Sequence, residues 1–143
     1  MNIRQQQKII DDCMIFSTGA VVYTAAEVLW RGYSHWTMTL TGGLCALLIH
    51  IANKRLSKKN MLIKCGIGGG IITAAEFAVG CIVNKLLGWN VWDYSGMPLN
   101  ICGQVCLLYS IMWFFMSIPA IAISSLLNSS HRIKSEIFFN YKP

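Results

Sequence analysis

Four apolar stretches, separated by short polar ones, make up most of the sequence. They run from about Cys13 to Trp30, Thr37 to Ala52, Leu62 to Leu87 and Ile101 to Leu127. Three of them reach the roughly 17–25 residues that carry a helix across a hydrocarbon core, and the second falls slightly short. Between them lie segments of a different character. Residues 1–12 are a polar lead-in with room for a short interfacial helix, and Asn53 to Asn60 form a basic turn. Gly88 to Asn100 is rich in Trp and Tyr, and Gly96 and Pro98 mark turns within it. Residues 128–143 are a basic tail. The pattern predicts an all-α membrane protein of four transmembrane helices, with an interfacial or re-entrant loop before the fourth. Pro119 is placed to kink that fourth helix.

Composition agrees with this pattern. The 143 residues are 55% hydrophobic and only 13% charged, against roughly a quarter charged in soluble domains. The net charge of +6 would suit nucleic acid if it were spread over one face, but its placement excludes that partner. Lys54, Arg55, Lys58, Lys59 and Lys64 cluster between two spans, and Arg132, Lys134 and Lys142 follow the last. With four spans and both termini in the cytoplasm, ten of the twelve Lys and Arg residues fall inside, leaving Arg31 and Lys85 outside. Trp30, Tyr33 and Trp36 then mark the outer interface, and the lipid bilayer is the first partner. Residues 1–12 lack the short apolar core and small-residue cleavage site of a signal peptide, so the first span is expected to stay as an anchor.

The tetrapeptide Thr24-Ala25-Ala26-Glu27 returns as Thr73-Ala74-Ala75-Glu76. Tyr33-Ser34, Gly42, Cys45 and Leu47 likewise align onto Tyr94-Ser95, Gly103, Cys106 and Leu108, at a different offset. This predicts two parallel two-helix repeats, the second carrying an added loop. Each copy places a carboxylate inside a span, where a charge costs about 3 kcal/mol or more. Arg31 stands one helical turn from Glu27, whereas Gly80 takes the equivalent position beyond Glu76. Glu76 is therefore expected to be protonated, to pair across the bundle with Arg31 or Lys85, or to face water. Two readings stay open: the carboxylates bind a cation or carry a proton, or they form a structural clamp. Arg31, Asn84, Asp93, Asn100 and Gln104 complete the polar candidates in or beside the spans.

Gly66, Gly70, Ala74 and Ala78 form a stripe of small residues on the third span, the expected helix-packing face at the centre of the bundle. The glycines do not fit a phosphate-binding loop. The six cysteines sit in or beside apolar spans and read as small hydrophobes, with Cys102 and Cys106 sharing a face of the fourth helix. No metal, cofactor or catalytic residue is assigned. His50, near the cytoplasmic end, is expected to be satisfied locally.

Val91-Trp92-Asp93-Tyr94-Ser95, Pro98, Asn100, Gly103-Gln104 and Cys106-Leu107 resemble a family of small bacterial membrane proteins. These are the CmpB-like, type IV ABC-transporter permeases. Two further blocks agree: Glu27 with Trp30 to Met38 and Gly42 to Cys45, and then Glu76-Phe77, Gly80 and Asn84. The resemblance covers about residues 20–115. It implies a transport component, expected in the bacterial inner membrane. Because four helices make a thin wall around a pathway, a homo-oligomer or a partner subunit is expected, and a separate ATPase if ATP drives it. The alternative is a membrane interaction or accessory protein with a structural polar core and no pathway. An intramembrane enzyme is a third class, but the Cys and His positions offer it no nucleophile–base pair.

Overall fold

A computed structural model describes the backbone of residues 3–140 and the side chains of residues 5–129. Four long helices dominate it: α1 (Ile3–Arg31), α2 (Trp36–Arg55), α3 (Met61–Gly80) and α4 (Leu107–Asn140). All four are long and apolar enough to cross a membrane. The short links 32–35 and 56–60 fold them into hairpins, α1 with α2 and α2 with α3. α1 lies mainly on α2, α3 pairs with α4, and α2 also packs against both α3 and α4.

The ends of the helices follow from local chemistry. Gly32 closes α1 in a left-handed conformation (φ +80°), and its N–H bonds the Val28 carbonyl at 2.8 Å. His35 caps α2, its ring nitrogen accepting from the Thr37 N–H. Asn60 caps α3, its side-chain oxygen accepting from Ile63 N–H at 3.0 Å. α3 then widens into a π-helical turn over Cys81–Leu86. The polar lead-in is not a separate helix: α1 is continuous from Ile3. At the other end α4 continues to Asn140, through most of the expected tail. The side chains of Arg132, Lys134 and Lys142 lie outside the described residues.

The fourth helix starts later than its apolar sequence suggests. Residues 100–106 form a small hairpin in which β1 (Asn100–Ile101) pairs antiparallel with β2 (Val105–Cys106). Cys102 and Gly103 turn the chain at φ +55° and +71°, which no helix accommodates. Asn100 fixes this turn, its Oδ1 accepting from the Gly103 N–H at 3.0 Å. Cys102 and Cys106 therefore share no helix face; Cys102 is exposed and Cys106 buried. The second block of the repeat also loses its local equivalence. Gly42 and Cys45 lie within α2, whereas Gly103 and Cys106 lie in the hairpin. A Cβ at Gly103 would stand 2.8 Å from Asp93 Oδ1 and would strain a left-handed backbone. Gly103→Ala is accordingly expected to cost about 1–3 kcal/mol, read as an earlier thermal unfolding midpoint in detergent.

Small residues let the helices approach, at Gly42 and Gly43 of α2 as their sequence suggests, but on α3 not at the ones expected. Gly42 abuts Tyr23 and Gly43 abuts Phe16 across α1–α2. In α3 it is Gly68 and Gly69 that face α4, against Ser117 and the Phe114 backbone. Gly66, Gly70, Ala74 and Ala78 are exposed, and nothing approaches the first two within 4 Å. The sequence stripe is thus turned away from the bundle. The burial of Cys65, Gly68, Ile72 and Glu76 shows why: the core-facing side of α3 is the neighbouring one. Toward the ends of α2 and α4 that carry the basic turn and the tail, His50 and Asn53 both bond Ser124, at 2.8 and 3.0 Å. His50 thus ties α2 to α4 through Nδ1, a contact between distant segments rather than the local one expected.

Candidate functional site

The sequence of α3 places Glu76 on the buried face, at 2% exposure. Its Oε1 accepts from the Tyr23 hydroxyl at 2.9 Å, and its Oε2 accepts from the Trp113 indole N–H at 2.7 Å. Tyr23 comes from α1 and Trp113 from α4, so one carboxylate joins three helices. Neither of the expected cations, Arg31 or Lys85, bonds it. Among the described residues the ion pair formed is Arg31 with Glu27. Glu76 is instead held by two neutral donors, which satisfy both oxygens without balancing a charge.

Glu27 is the better matched of the two acids. Arg31 reaches it at 3.6 Å, one helical turn away. Ser34 donates to its Oε2 at 2.6 Å. Arg31 also donates to the Val91 carbonyl at 3.3 Å, and its guanidinium lies 5.1 Å from the centre of the Tyr33 ring. Its Nε finds no acceptor among the described residues. The pair thus fastens the end of α1 to both adjoining loops.

A cavity of about 190 Å³ separates α1 from α4 beside these groups. Tyr23, Tyr94, Tyr109 and Trp113 give it aromatic walls, and Glu27 and Arg31 line its polar side. The rings stack in pairs: Tyr23 on Trp113 with centres 5.6 Å apart, and Tyr94 on Tyr109 at 4.6 Å. Glu76 lies behind the first pair and holds both its polar atoms. Two further spaces of about 80 Å³ each adjoin it, one between α1 and α4 toward Ile15 and Ile123 and one reaching inward to Cys45 and Ile49 of α2 and Ile72 of α3, and Met116 borders all three.

The remaining polar candidates serve the loop rather than this cavity. Asn84, in the π-helical turn, accepts from the Val91 N–H at 2.7 Å and donates to Gln104 Oε1 at 2.8 Å. Gln104 accepts from Trp92 through its carbonyl at 2.9 Å. Trp92 and Val91 are thereby drawn into a buried cluster with Met38 and Val83. Asp93 is exposed and receives the Ser95 hydroxyl at 2.5 Å and the Ser95 N–H at 2.8 Å. Those bonds, the hydroxyl first, hold its carboxyl below the usual range. Asn100 donates to the Ser95 and Met97 carbonyls. The structure thus gathers Glu27, Arg31 and Glu76 in one region and spends Asn84, Asp93, Asn100 and Gln104 on folding residues 88–106.

Tyr23 and Trp113 are the two site residues that the reading of the spans missed. Tyr23 stands four residues before Glu27, on the same face of α1, and a buried indole N–H usually needs an acceptor. Those two signals mark both residues as needing polar partners, without saying which. Among the described residues no three His, Cys, Asp or Glu side chains gather where they would hold one metal ion.

No curated protein and no solved structure is significantly similar to this chain. One family model matches residues 12–139, from within α1 almost to the end of α4. With four membrane-length helices and acidic residues gathered inside them, this multi-pass membrane protein belongs to the transport-related family described as "Putative ABC-transporter type IV".

Proposed function

We propose that the protein is a permease-like membrane component of a transporter and that it handles a cation or proton at the Glu76 centre, with Glu27 beside it. The observation that carries this reading is the Glu76 carboxylate. It is buried, bonded among the described residues to the neutral Tyr23 and Trp113 donors alone, and set behind the wall of a cavity. A carboxylate kept at that depth without a fixed counter-charge is costly, and a transported positive charge offsets the cost. The spaces lined by its partners Tyr23 and Trp113 supply room beside it.

The chain works as a homo-oligomer or with a partner subunit, because four helices enclose little of a pathway alone. A separate ATPase supplies the energy if ATP drives the cycle. The protein sits in the bacterial inner membrane with both termini and the Lys54–Lys59 turn cytoplasmic, and none of its residues takes a catalytic role.

Purified protein in proteoliposomes tests the reading, with proton and alkali-cation flux followed under an imposed membrane potential. Glu76→Gln keeps acceptor and donor atoms for Tyr23 and Trp113, so the fold is expected to survive while flux falls tenfold or more. Flux that persists in both Glu27→Gln and Glu76→Gln sinks the carboxylate mechanism. The accessory reading, in which the acids only clamp helices, then takes its place; the wholly local bonding of Asn84, Asp93, Asn100 and Gln104 is what favours it.

A further inference from the structure

We propose that the α1–α4 cavity binds a small alkylammonium cation, quaternary or a protonated amine, against its four aromatic rings. The inference rests on the transport reading for its biological sense, but on the cavity alone for its chemistry.

Three observations converge. The walls are aromatic: Tyr23, Tyr94, Tyr109 and Trp113 line about 190 Å³, and a cation over the face of such a ring is attracted by its quadrupole. The polar atoms of one pair, Tyr23 and Trp113, donate to Glu76. A ring that gives its proton toward an anion gains electron density, so the carboxylate behind the wall strengthens the attraction in front of it. Finally, the charges of the region do not cancel. Arg31 is matched by Glu27 and drawn toward Tyr33 and Val91, which leaves Glu76 behind the wall as an acid with no cation bonded to it among the described residues.

The same features select the class of cation. A hard metal ion takes about six or more oxygen ligands, but both Glu76 oxygens are already capped and the cavity presents rings. An alkylammonium ion needs no such shell; its charge is spread over methyl or methylene groups that pack on aromatic carbon. An anion would have to displace Glu27 from Arg31 and sit near a second carboxylate.

The test uses the full chain in detergent and follows tryptophan fluorescence during titration with choline. The neutral isostere 3,3-dimethyl-1-butanol, in which carbon replaces the charged nitrogen, and sodium acetate serve as comparisons. Saturable choline binding is expected, with the isostere and acetate at least tenfold weaker. Tyr109 makes no side-chain hydrogen bond among the described residues, and its ring lies beside the cavity. Tyr109→Phe is therefore expected to keep the affinity, and Tyr109→Leu to lose roughly tenfold. Glu76→Gln is expected to weaken choline by a similar factor; if that variant does not fold, the Tyr109 pair decides. Equal binding of the isostere, preference for acetate, or indifference to Tyr109→Leu overturns the proposal. Binding and flux separate the two claims. Choline binding without Glu76-dependent flux upholds the cavity and removes the transport reading, and Glu76-dependent flux without choline binding does the reverse.

Discussion

Replacing Tyr23 by phenylalanine is expected to lower stability by about 1.5–3 kcal/mol, the usual worth of a hydrogen bond to a charged group. The loss should disappear once Glu76 has been changed to leucine. The hydroxyl of Tyr23 is 2.9 Å from Glu76 Oε1, and the ring stacks on Trp113, so the substitution removes the bond and leaves the packing. With Glu76 present, Tyr23→Phe would leave one carboxylate oxygen bare in an apolar setting. With leucine at position 76 it is the Tyr23 hydroxyl that lacks an acceptor, and removing it then costs nothing or stabilises. Replacing both partners of a buried polar contact by apolar groups is often close to neutral, whereas orphaning one is not. A double-mutant cycle read by unfolding in detergent measures the coupling. Additive effects of Tyr23→Phe and Glu76→Leu would mean that the three-helix junction is not held by this bond.

Two adjacent glycines should behave in opposite ways. Gly69→Ala is expected to cost about 1–3 kcal/mol, as overpacking does. Its Cβ would meet the Phe114 backbone nitrogen at 2.9 Å and Cα at 3.0 Å, so α3 and α4 would have to move apart. Gly70→Ala meets nothing within 4 Å. It should be neutral or stabilise by up to about 1 kcal/mol, because alanine loses less backbone freedom in a helix. The same thermal unfolding series distinguishes the two. If Gly70→Ala proves the more damaging variant in dilute detergent, where copies are separate, the assignment of the core-facing side of α3 is wrong.

Those glycines also show how far the sequence could be read. Four spans, their order and the presence of a special loop before the last were legible, because membrane crossing depends on length and apolarity along the chain. The rotation of a span was not. In lipid a small-residue face and an apolar face are both acceptable outside the bundle, so Gly66 and Gly70 gave no sign that Gly68 and Gly69 were the ones packed. The hairpin at 100–106 escaped for a similar reason. Its residues are apolar enough to continue a helix, and only the left-handed turn at Cys102 and Gly103, held by Asn100, stops them.

The candidate site divides along the same line. The acids announced themselves in the sequence, since a carboxylate inside a span is rare and must be compensated. Arg31 was legible as the partner of Glu27, because one helical turn separates them. The partners of Glu76 were not, for they stand 53 and 37 residues away on other helices. Sequence alone determined what must be buried in the membrane and which charge would need help there. Which neighbours give that help, and the ring-lined space they leave between α1 and α4, was decided only when the helices packed. Contacts between distant segments depend on how each helix is turned about its axis, and hydropathy along the chain carries no record of that angle.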